Sequence, residues 1–338
     1  VPPPPARGPT TLRVAAQGLT LPFMGREREL AALHTHLNEI QEGRGRMVLI
    51  SGEAGLGKTR LVEAFLQRAR DRPQPRVRAL LGRCYAAETG APYAMWADAF
   101  QAFARPDWQP CLAGLPAVWR RQLARLVPEL GDPAREMSGA TVAESRLRLL
   151  QGIVRALSRI ARTCVLCLWF DDLHWADEAS LAMLHYVARH LADQRILIVG
   201  TYRPDTVDGG ASFEQLLAGI PHTATLTLSP LDVETIDRML QQLGYRDERK
   251  LAQHLHQHSE GNPLFLTETV QTLIESNVLK PGQTSRAGSL DVAAWPVPTR
   301  IQSVIQGRTT SLPETSRRVL AAGAVIGRPF GPLLLRKA

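Results

Sequence analysis

Apolar residues first recur at helical spacing at Leu30, Leu33, Leu37 and Ile40, one face of a helix that Gly43 and Gly45 break. Met47-Val48-Leu49-Ile50-Ser51 then reads as a short buried strand running straight into a glycine-rich loop. Beyond the loop, Leu61, Val62, Phe65 and Leu66 define an apolar helix face that Asp71 to Pro75 end, and Val77 to Leu81 reads as a strand. The stretch from Cys84 to about Ala161 is helical but irregular, punctuated by Pro92, Pro106, Pro110, Pro116, Pro128 and Pro133 and carrying Trp96, Trp108 and Trp119. Its last segment places Leu147, Leu150, Val154, Leu157 and Ile160 on an amphipathic helix that feeds the apolar strand Val165 to Phe170. Asp177 is placed to cap a helix bearing Leu181, Leu184, Val187 and Leu191. The strand Ile196 to Thr201 follows, then, after a loop and short helix, an alternating edge strand over Thr223 to Leu228. Strands and helices in this alternation predict an α/β fold, a parallel five-stranded sheet flanked by helices.

Past Pro230 the strand pattern stops. Helices are expected over Leu231 to Leu243, Leu251 to His258, after Gly261-Asn262-Pro263 to Val278, Thr299 to Leu312 and Glu314 to Val325. The expected organisation is a proline-rich linker over 1–20, an α/β domain over 21–230 with a helical insertion over 82–145, a helical domain over 231–280, a linker over 281–298 and a last helical piece over 299–338. The start, Val1-Pro2-Pro3-Pro4-Pro5, carries neither the basic nor the apolar region of a signal peptide and reads as extended interdomain linker from a longer polypeptide.

Composition changes little in this picture. The 338 residues are 44% hydrophobic and 21% charged, enough for more than one core. Forty basic against thirty-two acidic residues give +8, spread along the chain, which suits a solvated Arg-rich surface with a phosphate pocket and also suits nucleic-acid contact. Cys164 and Cys167 form C-x-x-C, but on a strand side chains three apart point to opposite faces. With Cys84 and Cys111 they read as buried packing thiols in a reducing, cytoplasmic setting.

The chemistry lies at strand ends. Gly52-Glu53-Ala54-Gly55-Leu56-Gly57-Lys58-Thr59 fits G-x-x-x-x-G-K-[ST] between a strand and a helix, the pattern of a phosphate-binding P-loop. Glycines let backbone N–H groups curl around phosphates, Lys58 reaches their β and γ oxygens and the Thr59 hydroxyl ligates magnesium; Arg60 is counted with the phosphate-binding residues. Asp171 ends an apolar strand at the edge where ligands bind in open α/β sheets, and is assigned to the metal. Asp172 is the candidate for orienting the attacking water, the other reading being a local cap or pair. Arg203 ends the next strand at the same edge, where it would sense the γ-phosphate or form a surface ion pair. His174 and Trp175 are expected to pack the loop beneath the phosphates, and His254, His256 and His258 to form a solvated helix end.

Taken together, these motifs resemble the STAND class of AAA-related P-loop ATPases, in the branch found in large ATP-binding LuxR-type bacterial transcriptional regulators. The resemblance rests on Phe23-Met24-Gly25-Arg26-Glu27, Gly82-Arg83-Cys84-Tyr85 with Pro92-Tyr93, Asp171-Asp172-Leu173-His174-Trp175-Ala176-Asp177, Gly200-Thr201-Tyr202-Arg203 and Ser259-Glu260-Gly261-Asn262-Pro263-Leu264-Phe265. It implies Gly25 and Arg26 near adenine and ribose, Arg203 as sensor, and Pro263 packing near the base from a helical lid domain, 231–280. It also implies the start of a winged-helix domain from about residue 299. ATP or ADP with Mg2+ would be the ligand, slow hydrolysis resetting a regulatory switch. Expected partners are an effector protein or small inducer, nucleotide-dependent self-association and, through other domains, DNA; no membrane is expected. An origin-recognition-like ATPase that binds DNA directly is the alternative.

Overall fold

The structure, a computed structural model, describes residues 21–72, 75–88, 90–132, 141–204, 219–220, 222–245, 249–279 and 314–326, together with positions 295, 302, 306 and 309. The expected linker over 1–20 and the expected loop and short helix around 205–218 lie outside them. So do nearly all of the second linker and most of the last helical piece. The described chain divides into two compact units, one over Gly25–Ser229 and one drawing on residues up to Met24 and from Pro230 on.

In the first unit, helix α1 (Glu27–Gln41) is followed by β1 (Arg46–Ser51), α2 (Lys58–Arg70) and β2 (Val77–Arg83). Helices α3 (Ala94–Phe100), α4 (Gln109–Leu112), α5 (Ala117–Leu123) and α6 (Val142–Ala161) lead to β3 (Val165–Asp171), then α7 (Glu178–His190), β4 (Ile196–Tyr202) and β5 (Thr223–Thr227). The five strands form one parallel sheet in the order β2-β3-β4-β1-β5. Strands β3 and β4 are buried along their whole length, so they are almost uninterrupted runs of apolar residues. That order brings the C-terminal ends of β1, β3 and β4 together at one edge of the sheet.

Helices cover both faces. The face of α2 carrying Leu61, Val62 and Phe65 is fully buried, each side chain contributing about 1.5–3 kcal/mol. On the other face Trp96 of α3 packs on Phe170 of β3, ring centroids 4.8 Å apart, and donates its indole N–H to the Ser180 carbonyl. Thr141 begins α6 with a reciprocal capping box to Glu144.

Helix α6 departs from the expected stripe: it buries Leu149, Leu150, Ile153, Ala156, Leu157 and Ile160, while Leu147 is 46% exposed and Val154 only partly covered. The physical reason is α5, whose Gln122 side chain and Trp119 carbonyl lie against Gly152 and fix which side of α6 faces inward. All four cysteines are free and buried; burial pushes the thiols of Cys84 and Cys167 up to about 12.

The second unit packs α8 (Val233–Gln242), α9 (Arg249–Ser259) and α10 (Pro263–Glu275) around Ile236, Leu240, Leu251, Leu255, Leu266 and Val270. The expected helix from Leu231 starts two residues later because the Asp232 carboxylate caps it, accepting from the Thr235 N–H. His254 and His258 lie against the ring of Trp295, at centroid distances of 6.2 and 5.8 Å, so they are packed where a solvated helix end was expected. Helix α11 (Glu314–Ile326) is the last described element.

Candidate functional site

Strand β1 ends at Ser51 and the chain turns through Gly52–Gly57 before α2 begins at Lys58. Gly55 and Gly57 sit at φ 87° and 86°, in the left-handed region where a side chain is strained. A Cβ built at Gly57 would meet no atom within 4 Å, so the glycine serves the backbone turn and leaves the space beside the helix start open. Lys58 is 6% exposed, and its ammonium donates to the Gly52 carbonyl at 2.7 Å and the Glu53 carbonyl at 3.0 Å. Burial, and then the charge of Arg203, lower its pKa, with Asp172 and Asp171 opposing. A cation so desolvated gains most from an added anion.

One helical position further, the Thr59 hydroxyl donates to Asp171 Oδ2 at 3.0 Å. Asp171, last residue of β3, also accepts the Thr201 hydroxyl on Oδ1 at 2.6 Å, while Thr201 Oγ1 takes the Asp172 N–H at 2.9 Å. Thr201 is fully buried and was not singled out from the sequence. A β-branched residue ending an apolar strand gives no signal beyond strand propensity.

Asp172 has φ 57° and ψ 47°, a left-handed conformation that Asp tolerates better than most residues. Its N–H bond to Thr201 holds this turn. The carboxylate, 34% exposed, lies with Oδ1 4.0 Å from Arg203 Nε and 3.9 Å from His174 Nδ1. Backbone held in such a region at a strand end is a feature of functional sites.

The His174 side chain is wholly buried, and neither ring nitrogen has a hydrogen-bond partner. Burial first, then Arg203 and Lys58, depress its pKa to about 4. The unfolded chain then binds a proton near pH 6.5 that the folded chain refuses, so this contribution to stability is complete above that pH and is lost as pH falls towards 4. Thermal unfolding of the chain and of His174→Gln at pH 7 and 5 should show the wild-type protein losing at least about 2 °C more on acidification.

The remaining expected site residues divide. The Arg26 guanidinium, 5% exposed, donates to the Leu56 carbonyl at 3.3 Å and the Ser229 carbonyl at 2.7 Å, and pairs with Glu29 at 3.4 Å. It therefore stands against the P-loop, with Gly25 beside it donating its N–H to Glu27. Leu56 is buried beneath the loop, Glu53 is exposed and Ala54 half-buried, and Arg60 lies partly covered on the first turn of α2. Pro263 is the first residue of α10 in the other unit, behind an Asn262 cap. Asp177 ties the motif after β3 to the insertion, accepting the N–H groups of Ser180 and Tyr93, the latter at φ 67°.

The donor set suits a magnesium nucleotide. A hydroxyl and a carboxylate 3.0 Å apart are the hard oxygen ligands that magnesium takes, and a buried ammonium stands beside an open, glycine-lined turn. Lys58, Thr59, Asp171, Asp172 and Arg203 are thus one constellation, with Thr201 binding its two aspartates together.

Comparison with known proteins agrees with the fold. The chain is 26% identical over 340 residues to an uncharacterized protein of Rhizobium meliloti (strain 1021), across 93% of this chain and 30% of that one. It therefore spans about a third of that relative's length. The Aeropyrum pernix ORC2 protein, solved as ADPNP–ADP complexes, is similar with TM-score 0.53 at 16% identity, over 97% of this chain and 79% of that one. The Aeropyrum pernix ORC1 protein in complex with DNA is similar with TM-score 0.50 at 15% identity, over 94% and 77%. At such identities these likenesses bear on the fold. The AAA ATPase domain family matches residues 22–199, more than half of the sequence and all of the constellation up to β4, and the chain belongs to that family.

Proposed function

We propose that the chain is a regulatory ATPase module, binding ATP with magnesium and hydrolysing it slowly as the reset of a switch. The observation that carries this reading is that the site satisfies itself: Lys58 is held on the loop's own carbonyls, and Thr59 and Asp171 on each other. Loading the site exchanges protein–protein hydrogen bonds for protein–ligand ones, so the two states differ in the protein's internal bonding, as a switch requires.

In this reading Lys58 and the N–H groups of 52–59 bind the phosphates, with Arg60 at their flank, and Thr59 and Asp171 hold the metal. Magnesium, when bound, supplies neutralisation of the charge between the β- and γ-phosphates. Asp172 holds and orients the attacking water, and Arg203 balances charge as it develops on the transferred group. Gly25 and Arg26 lie towards the nucleoside, and Pro263 belongs to a lid.

The wider assignments rest on the resemblance: an effector protein or small inducer, nucleotide-dependent self-association and DNA contact through other domains; a cytoplasmic setting rests on the four buried free thiols. Among the described residues no helix is long and apolar enough to cross a membrane.

Titration with Mg·ATP and single-turnover phosphate release test the reading. Asp172→Asn should bind ATP within about threefold of wild type while releasing phosphate about ten- to a hundredfold more slowly, the range of a lost general base. Failure of the unaltered chain to bind ATP at millimolar concentration overturns the function; full turnover in Asp172→Asn overturns the role given to that residue.

A further inference from the structure

The site contains one group that the nucleotide reading leaves unused. His174 is enclosed completely, yet offers an N–H and a ring lone pair to nothing. A neutral imidazole carries one donor and one acceptor, and burying both unbonded is costly. Its ring is tilted against Trp175 at 5.1 Å, and its Nδ1 stands 3.9 Å from the carboxylate of Asp172. The other neighbour of that oxygen is Arg203, at 4.0 Å. Asp172 Oδ1 therefore lies midway between an imidazole and a guanidinium, beyond hydrogen-bonding range of both. The Asp172 backbone is pinned by Thr201, so the carboxylate turns about its side-chain bonds without moving the strand end.

We propose that His174 is a positioning residue for Asp172, the partner to which its carboxylate passes when Arg203 is drawn onto phosphate. This rests on the function proposed above. Arg203 cannot serve both the γ-phosphate and Asp172 with full effect, because a guanidinium turned towards phosphate presents less charge to the carboxylate. The imidazole N–H then takes over one oxygen of Asp172 and leaves the other facing the attacking water. The charged groups around the imidazole are Arg203, Lys58 and Asp171 with Asp172 itself; burial first, and then the two cations, keep the ring neutral, a donor that adds no charge of its own. No proton leaves His174 in this scheme; it donates a hydrogen bond and keeps its hydrogen. A side chain that only fills space would be replaceable by another ring.

The test uses the full chain labelled with 15N-histidine. The His174 resonances are identified by their absence in His174→Gln, and are followed on addition of ADP, Mg2+ and aluminium fluoride as a mimic of the transferred group. The expected result is a downfield shift of one N–H proton, absent in Asp172→Asn. In parallel, His174→Phe should bind ATP within about threefold of wild type but release phosphate at least about tenfold more slowly. His174→Gln, which keeps a donor, should recover most of that loss. An unchanged imidazole signal together with wild-type turnover in His174→Phe overturns the inference while leaving the ATPase reading intact. Should His174→Phe fail to fold, the spectrum of the unaltered chain decides alone. No ATP binding by the unaltered chain overturns both.

Discussion

Lys58→Ala is expected to weaken ATP binding at least about a hundredfold and to lower phosphate release by about a thousandfold or more. The Lys58 ammonium is set inside the loop, and two bonds of 2.7 and 3.0 Å hold it on the loop's own carbonyls, from which phosphate oxygens would take it over. Each charge-assisted bond to an anion is worth about 1.5–3 kcal/mol, so losing one or two of them from the bound state gives the binding figure. The larger effect on turnover follows because charge developing on the β–γ bridging and leaving oxygens is stabilised more strongly in the transition state than in the ground state. Folding should change little, since the carbonyls of Gly52 and Glu53 can take water from the open side of the loop. Fluorescent-nucleotide titration and phosphate release, with circular dichroism melting as control, check the result; wild-type affinity in the variant would remove the loop from the nucleotide site.

Gly82→Ala is expected to cost about 3 kcal/mol of stability and to lower the melting temperature by on the order of 10 °C. The added methyl would lie 2.1 Å from the carbonyl oxygen of Met95 and 3.1 Å from Phe170. The first of these is helix backbone, which cannot rotate away. Pushing α3 outward also disturbs Trp96, packed at a tilt on Phe170 and bonded to Ser180, and so reaches the motif after β3. Gly90→Ala is the matched control: its methyl meets nothing within 4 Å, and its melting temperature should stay within about 1–2 °C of wild type. Equal melting of the two variants would mean that α3 is looser on the sheet than the contacts describe.

Much of this was legible because the fold puts its chemistry on strongly patterned elements. Val165 to Phe170 could only be a buried strand, so Asp171 had to end it, and the P-loop lies between an apolar strand and a helix with one apolar face. The strand order was not legible, since inserting β4 between β3 and β1 depends on pairings such as Met47 with Ile198, between residues far apart in the chain. Nor was the buried side of α6: residues 147 to 160 offer overlapping apolar stripes, and α5 decides between them. Thr201 escaped, and so did the second role of Asp177 beside the helix cap that was expected and is present, for a related reason. Each acts through bonds to residues distant in sequence, Asp171 in one case and Tyr93 in the other, and neither residue type is unusual where it stands. His174 and Trp175 were read as packing; the structure adds that the imidazole packs with both nitrogens unbonded.

The Arg26 guanidinium has a mechanical consequence. One of its nitrogens holds both the Leu56 carbonyl, inside the P-loop, and the Ser229 carbonyl, the last residue before the chain passes to its second unit. Arg26 itself is the second residue after the chain enters from Met24. The two covalent threads joining the units thus leave the first one beside the same side chain, which also grips the phosphate loop. The same guanidinium therefore ties the backbone of the phosphate loop at Leu56 to the last residue of its own unit, Ser229.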